Sequence, residues 1–194
     1  MYKGQDTNFA NYFGKMYQPR YLSGLAAGAM TDSNKIGYVA AFPIPEVIRG
    51  INAFAAGVNE VNPEATVEVV WTFTWFGPEA ETQAANALLE KGADVLAQHQ
   101  DSTATGLAAE AAGAKWISYN TAYGQDSAPE AFVTAPVWDW GPYYVNIVEQ
   151  IIDGTFTTES YWGGMETGLV SLYDLSSDVP SDTATLIAEK TEAI

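Results

Sequence analysis

The apolar residues of this chain follow two patterns that alternate along its length. Continuous apolar runs of strand length occupy residues 35–42, 66–74, 94–98, 115–119 and 131–137. Between and after these runs, apolar residues recur every three or four positions, the spacing of an amphipathic helix, over residues 45–61, 78–91, 102–112 and 141–152. Strands that alternate with helices predict right-handed βαβ units, and therefore an α/β fold with a mostly parallel sheet flanked by helices.

Both ends of the chain have less regular patterns. An apolar face of helical spacing runs from Asn8 to Met30, and Pro19 inside it predicts a kink or a break. Residues 162–172 have the pattern of an irregular strand pair. A last helix begins at Ser181 and has no stop signal before the chain ends. We therefore expect the chain to be cut at both ends.

The composition is that of a folded, acidic protein. Hydrophobic residues make up 47% of the 194 residues and charged residues 16%, which favours a core-forming chain over a disordered one. The formal net charge of −16, from 24 acidic and 8 basic residues, argues against nucleic acid and anionic membrane surfaces as partners. No apolar run reaches about 18 residues, so we expect no transmembrane helix, and an export signal would lie outside this chain.

Little in the sequence favours catalysis. The chain has no cysteine and one histidine, His99, which excludes thiol chemistry and disulfides and leaves few candidate metal ligands. No nucleophile elbow, phosphate-binding loop or zinc-protease motif occurs. His99 could face the same side as Asp101, with Ser102 or Thr103 as a nucleophile, but a lone histidine is more often a hydrogen-bonded packing residue. We expect neither an enzyme, nor a cofactor, nor a metal site.

The candidate binding residues lie at the carboxyl ends of the predicted strands, where open α/β sheets bind their ligands. They are aromatic, neutral or acidic, and include no lysine or arginine: Phe42, Trp75, Gln100, Asp101, Asn120, Trp138 and Trp140. Aromatic faces can stack on a flat ring while amides and carboxylates read its polar edge. Such a set suits a neutral, flat, polar-edged ring and does not suit a phosphate.

Each of these residues also has a purely structural interpretation. Phe42 at a strand end could belong to the core, Asp101 could serve only the start of the next helix, and Asn120 could shape a loop. Trp138 and Trp140 alternate along a strand, so we expect one on each side of it and only one at the site.

Four segments carry a resemblance to a known family. They are KIGYVAAFPIPEVIRGINAF at 35–54, GADVLAQH at 92–99, PVWDWGPYY at 136–144 and SYWGGM at 160–165. They resemble the basic membrane protein (BMP) family of substrate-binding lipoproteins, and the resemblance covers nearly the whole chain.

The resemblance implies a type I periplasmic-binding fold, in which two α/β lobes close on a ligand. Residues 1–34 would then be an inter-lobe helix region of the first lobe, residues 35–160 the ligand-closing lobe, and residues 161–194 a truncated crossover. It also implies a receptor on the outer face of the plasma membrane, held by a lipid anchor outside this chain, that delivers a purine base or nucleoside to an ABC permease. Because family members are longer, most of the first lobe is expected to be missing.

The resemblance further implies that Phe42 stacks on the base. Nucleoside binders of the family carry an aspartate and a lysine at the ribose, whereas this chain has Asn120 and Trp138 at the matching positions. We therefore expect a free purine such as adenine. Two alternatives stay open: a ligand-sensing regulatory module of the same fold, and a nucleoside-processing enzyme.

Overall fold

Short strands and helices alternate along residues 8–194, the part of the chain that this computed structural model describes. The strands are β1 Tyr12–Gly14, β2 Lys35–Ala40, β3 Thr66–Trp71, β4 Val95–His99, β5 Lys115–Ile117, β6 Phe132–Thr134, β7 Pro136–Trp138, β8 Tyr161–Gly163 and β9 Val170–Leu172. The helices are α1 Tyr17–Met30, α2 Pro45–Val61, α3 Pro78–Glu90, α4 Ala104–Ala111, α5 Gly124–Ser127, α6 Gly141–Asp153 and α7 Ser181–Ala193, with a 3₁₀ turn at Met165–Thr167.

A five-stranded parallel sheet forms the centre of the fold, in the order β3-β2-β4-β5-β6. Successive residues of a strand point to opposite faces, so Tyr38 packs on one side, against Phe54 of α2, and Val39 packs on the other. Helices α1, α2 and α7 cover the first face, and α3 and α4 cover the second. This arrangement confirms the predicted parallel sheet with helices on both faces.

Helix α1 begins at Tyr17 and not at Asn8, because residues 12–14 form strand β1, which pairs in parallel with β8. Pro19 therefore lies in the first turn of the helix, where the backbone N–H groups have no partner within the helix and a missing donor costs little. The predicted kink or break at Pro19 is wrong for this reason.

Helices α1 and α2 pack closely, because a glycine of each helix lies against the backbone of the other. A Cβ atom added at Gly24 would lie 2.1 Å from the carbonyl oxygen of Phe54, and one at Gly57 would lie 2.1 Å from that of Tyr21. Leu22 and Leu25 of α1 are fully buried in the same core as the sheet. Helix α1 is thus an integral layer on this sheet, while the division of the chain between two lobes remains a prediction.

The predicted strand over residues 131–137 is split into two strands that belong to different sheets. β6 joins the parallel sheet beside β5, and β7 pairs in antiparallel fashion with β9. The chain changes sheets at Ala135, whose carbonyl accepts a hydrogen bond from the backbone of Tyr173, and Pro136 has no N–H with which to continue the ladder. The expected strand pair at 162–172 is also wrong, because β8 and β9 do not pair with each other: β8 pairs with β1, and β9 pairs with β7.

None of the helices within residues 8–194 combines the length and the apolar character needed to cross a membrane.

Candidate functional site

The carboxyl ends of the strands surround a cavity of about 540 Å³. Half of the residues in its walls are aromatic, and the others include two carboxylates and one histidine: Phe13, Glu46, Trp75, His99, Asp101, Tyr119, Asn120, Thr121, Trp138 and Trp140. A second cavity of about 440 Å³ shares Phe13, Glu46 and Trp75 with the first and extends past Ile44, Pro45, Arg49 and Trp162. The two cavities form one cleft at the strand ends.

Five of the seven candidate residues line the first cavity, namely Trp75, Asp101, Asn120, Trp138 and Trp140. Phe42 and Gln100 lie outside its lining. The Phe42 ring packs against Trp75, with 5.4 Å between ring centroids, and the Gln100 side chain is buried and donates a hydrogen bond to Thr72. Phe42 therefore supports the wall formed by Trp75, and Gln100 bonds to the segment that follows β3. Direct contact of either residue with a ligand remains a prediction.

Trp138 and Trp140 lie on the same side, contrary to the expectation that they alternate. Their rings stack with 4.9 Å between centroids and 14° between planes. Strand β7 ends at Trp138, and Trp140 has helical backbone angles at the start of α6. The period of two therefore stops before the second tryptophan, and both rings reach the cavity.

Asn120 and Asp101 form one polar unit on the cavity wall. Asn120 Nδ2 donates a hydrogen bond of 2.7 Å to Asp101 Oδ1. Asn120 adopts a left-handed backbone, with φ of 72°, which asparagine tolerates better than most residues. Asn120 therefore shapes the loop through its backbone and also lines the cavity.

Glu46 was not among the residues selected from the sequence, although it follows the first strand end. It lies in the first turn of α2, after Pro45, with its side chain 20% exposed and one carboxylate oxygen 3.3 Å from Nε2 of His99. Burial raises the pKa of Glu46, but the hydrogen bond from His99 and the positive charges of Arg20 and Arg49 outweigh it and lower that pKa. The signal that could have revealed Glu46 is an acidic residue at a helix start on the binding edge.

His99 is a buried partner of this carboxylate, with 2% of its surface exposed. Burial and the charge of Arg20 lower the pKa of His99, against the opposing effects of Glu46 and Asp101. A neutral imidazole that donates from Nε2 to Glu46 accounts for this geometry. His99 therefore has the packing role expected for a lone histidine and also lines the cavity.

Arg20 lies behind the cavity and is fully buried. Its Nη1 donates to the carbonyl oxygen of Gln98 at 2.7 Å, and its guanidinium lies 4.0 Å from the centre of the Tyr119 ring. The Gln98 side chain accepts from the Trp116 indole and donates to the carbonyl of Ser102. This network joins α1 to the ends of β4 and β5, and so fixes the floor of the site.

Ser102, considered above as a nucleophile beside His99, bonds instead to a carboxylate of α3. The Ser102 hydroxyl donates to Glu81 at 2.6 Å and accepts from the backbone of Ala104, which fixes the start of α4. Within residues 8–194, no three His, Asp or Glu side chains converge as a metal site would require. What the arrangement offers is stacking surface and hydrogen-bond acceptors.

Comparison with known proteins places these features in context. The family model for PnrA-like ABC transporter substrate-binding proteins (Bmp) matches residues 1–194. A Haloferax volcanii protein, named as a candidate ABC transporter glucose-binding protein, is 45% identical over 187 residues, covering 96% of this chain and 48% of that protein. A purine-binding protein of Brucella abortus is 40% identical over 197 residues, covering 99% and 54%. The chain thus spans about half the length of these curated relatives.

Solved structures share the fold. A solute-binding protein of an ABC transporter system from Conexibacter woesei has a TM-score of 0.77 at 26% identity, over 96% of this chain and 63% of that one. A solute-binding protein from Aeropyrum pernix has a TM-score of 0.85 at 15% identity, over 99% and 66%. A transcriptional activator of the comK gene from Bacillus halodurans reaches 0.89 at 21% identity, over 98% and 66%. The last two identities establish the fold alone.

Proposed function

This chain belongs to the PnrA-like Bmp family of ABC transporter substrate-binding proteins, and we propose that its cleft captures a free purine base for an ABC permease. The family consists of solute-binding proteins and not of enzymes. Since the chain spans about half the length of its curated relatives, the ligand, the permease partner and a location on the outer face of the plasma membrane are all part of this proposal.

The aromatic cavity at the strand ends is the observation that carries the proposal. Trp75 and the stacked pair Trp138 and Trp140 all line it, so a flat ring could contact more than one aromatic side chain. Base–aromatic stacking contributes about 1–3 kcal/mol per base. The acceptors Glu46 and Asp101 on the same walls can bind the polar edge of the ring.

The region expected to hold a ribose favours a ligand without a sugar. The Trp138 ring packs 5.3 Å from Phe13 and against Gly14, so its bulk occupies that corner of the cavity. Asn120 donates its amide to Asp101, and it stands at the position where the family resemblance implies an aspartate in nucleoside binders. Both features support a purine base over a nucleoside, and the Brucella abortus relative is consistent with a purine.

A sugar is the second candidate ligand. The Haloferax volcanii relative is named for glucose, and tryptophan faces beside carboxylates also suit the apolar face and hydroxyl groups of a hexose. Half of the ten lining residues are aromatic, three of them tryptophans, and this flat ring surface favours the purine. A sensor module of the same fold would bind its ligand in the same cleft and differ only in its output.

Isothermal titration calorimetry of the full-length protein tests the proposal. The ligands are adenine, guanine, adenosine, inosine and D-glucose. We expect tight binding of a free base and weak or absent binding of nucleosides and glucose. Tight nucleoside binding would overturn the sugarless-ligand argument, and tight glucose binding alone would overturn the purine.

A further inference from the structure

We propose that Glu46 selects the ligand of this cleft, and that the ring it selects carries an exocyclic amino group whose N–H the carboxylate accepts. This inference rests on the proposed function, in which a purine-like ring occupies the cavity. It goes beyond that function because it assigns a specificity residue and a chemical class of substituent.

Glu46 lies where the two cavities of the cleft join, since it lines both of them. The exposed fifth of its side chain therefore faces the space that a ligand would occupy. Glu46 accepts a hydrogen bond from His99 and Asp101 accepts one from Asn120, so each carboxylate keeps a second oxygen as an acceptor. Of the two, only Glu46 lines both cavities, and it is therefore the carboxylate at their junction.

The surroundings of Glu46 make it an acceptor and not a donor. Nε2 of the buried His99 lies 3.3 Å from its carboxylate, and the charge of Arg20 acts from behind the cavity. The same groups that hold the pKa of Glu46 below its usual value keep it ionised, and an ionised carboxylate has no hydrogen to donate. A ligand atom that meets Glu46 must therefore bring its own hydrogen.

The charge balance of the cavity points to the same ligand class. Its lining contains the carboxylates of Glu46 and Asp101 and no lysine or arginine, while Arg49 lines the adjoining cavity only. An anionic ring, or an oxo substituent directed at Glu46, would place a second hydrogen-bond acceptor against the carboxylate, which is unfavourable. An amino substituent donates two N–H groups and avoids this conflict, so an amino-substituted purine fits and the unsubstituted ring lacks the contact.

Calorimetry with adenine and with unsubstituted purine separates this role from a purely structural one. Because a hydrogen bond to a charged acceptor stabilises more than a neutral one, we expect the full-length protein to bind adenine about 10- to 100-fold more tightly than purine. Glu46→Gln keeps the shape and can still accept from His99, and should reduce the adenine-to-purine ratio at least about fivefold with little change for purine. Glu46→Met has no acceptor oxygen and should bring the adenine-to-purine affinity ratio to about 1.

Glu149→Gln is the matched control, because Glu149 is an exposed residue of α6 and its change removes the same charge. It should alter neither affinity. If the wild-type protein does not discriminate between the two rings, or if Glu46→Gln weakens both equally, Glu46 is only a packing partner of His99 and the inference is overturned while purine capture stands. If neither ring binds the wild-type protein, purine capture fails and the inference fails with it.

Discussion

The contact between α1 and α2 provides a sharp quantitative test of the fold, through two glycines of the same helix. An added Cβ at Gly57 would lie 2.1 Å from the carbonyl oxygen of Tyr21 and 2.9 Å from the backbone nitrogen of Leu25. At Gly50 the nearest atoms, from His99 and Arg20, are 3.7 and 3.8 Å away, which is ordinary contact. Gly57→Ala and Gly50→Ala therefore add the same methyl group, at Gly57 where there is no room for it and at Gly50 where there is.

The expected energies follow from that difference. Both substitutions gain about 1 kcal/mol in helix propensity. At Gly57 the two backbones must separate by about 1 Å, and overpacking of this severity costs about 2–3 kcal/mol because buried side chains of both helices lose contact. Gly50→Ala should therefore stabilise the protein by about 0.5–1 kcal/mol, whereas Gly57→Ala should destabilise it by about 1–2 kcal/mol.

Urea unfolding followed by circular dichroism measures this contrast. With a slope of about 1–3 kcal/mol per molar urea, the midpoints of the two variants should differ by about 1 M, with the wild-type midpoint between them. Midpoints that agree within about 0.3 M would refute the close approach of α1 and α2, since a loosely packed pair would accept either alanine.

Three further predictions concern the site and the turn after α1. Trp75→Leu should weaken base binding by about 2 kcal/mol and Phe42→Leu by less than about 1 kcal/mol, because Trp75 lines the cavity whereas Phe42 packs against Trp75 and is not part of the lining. Equal losses in calorimetry would mean that Phe42 contacts the ligand directly. Asn120→Asp combined with Trp138→Lys should shift the preference from adenine towards adenosine in the same titrations, and an unchanged preference in a folded variant would refute the sugar-corner argument. Burial raises the pKa of Asp94, but hydrogen bonds from a hydroxyl and two backbone amides of the preceding turn lower it more. Ionised Asp94 therefore stabilises the folded state above its unfolded-state pKa, and this stabilisation is lost as pH falls below about 4. Asp94→Asn should lower the free energy of unfolding by about 1 kcal/mol at pH 7 and lose less stability than the wild type on acidification. Parallel profiles of unfolding free energy against pH for the two proteins would contradict this.

Much of the fold was predictable because its signals are local. The strand that ends near Phe42 and the helix that begins at Pro45 are recognisable from consecutive residues, and the alternation of such units implies the parallel sheet. The carboxyl-end rule then located most of the cavity wall, including Trp75 and Asn120, because the ends of parallel strands lie along one edge.

Other features depended on partners far away in sequence. Residues 12–14 have a helical apolar spacing, yet they form a strand because β8 pairs with them, and Asn11 bonds to Ser160, 149 residues away. Phe13 reaches the cavity through this pairing. Nothing in the local pattern distinguishes the two outcomes, since a short segment takes the structure that its neighbours stabilise.

The chemistry of the site divides in the same way. The sequence by itself determined the sheet, its binding edge and the supply of aromatic and acidic side chains there, because apolar periodicity and strand ends are properties of consecutive residues. Only the tertiary structure decided that Trp138 and Trp140 stack on one side, that Phe42 packs against Trp75, and that Glu46 is paired with His99. Side-chain direction in irregular segments and the charge of a buried carboxylate depend on contacts across the fold, which no local pattern encodes.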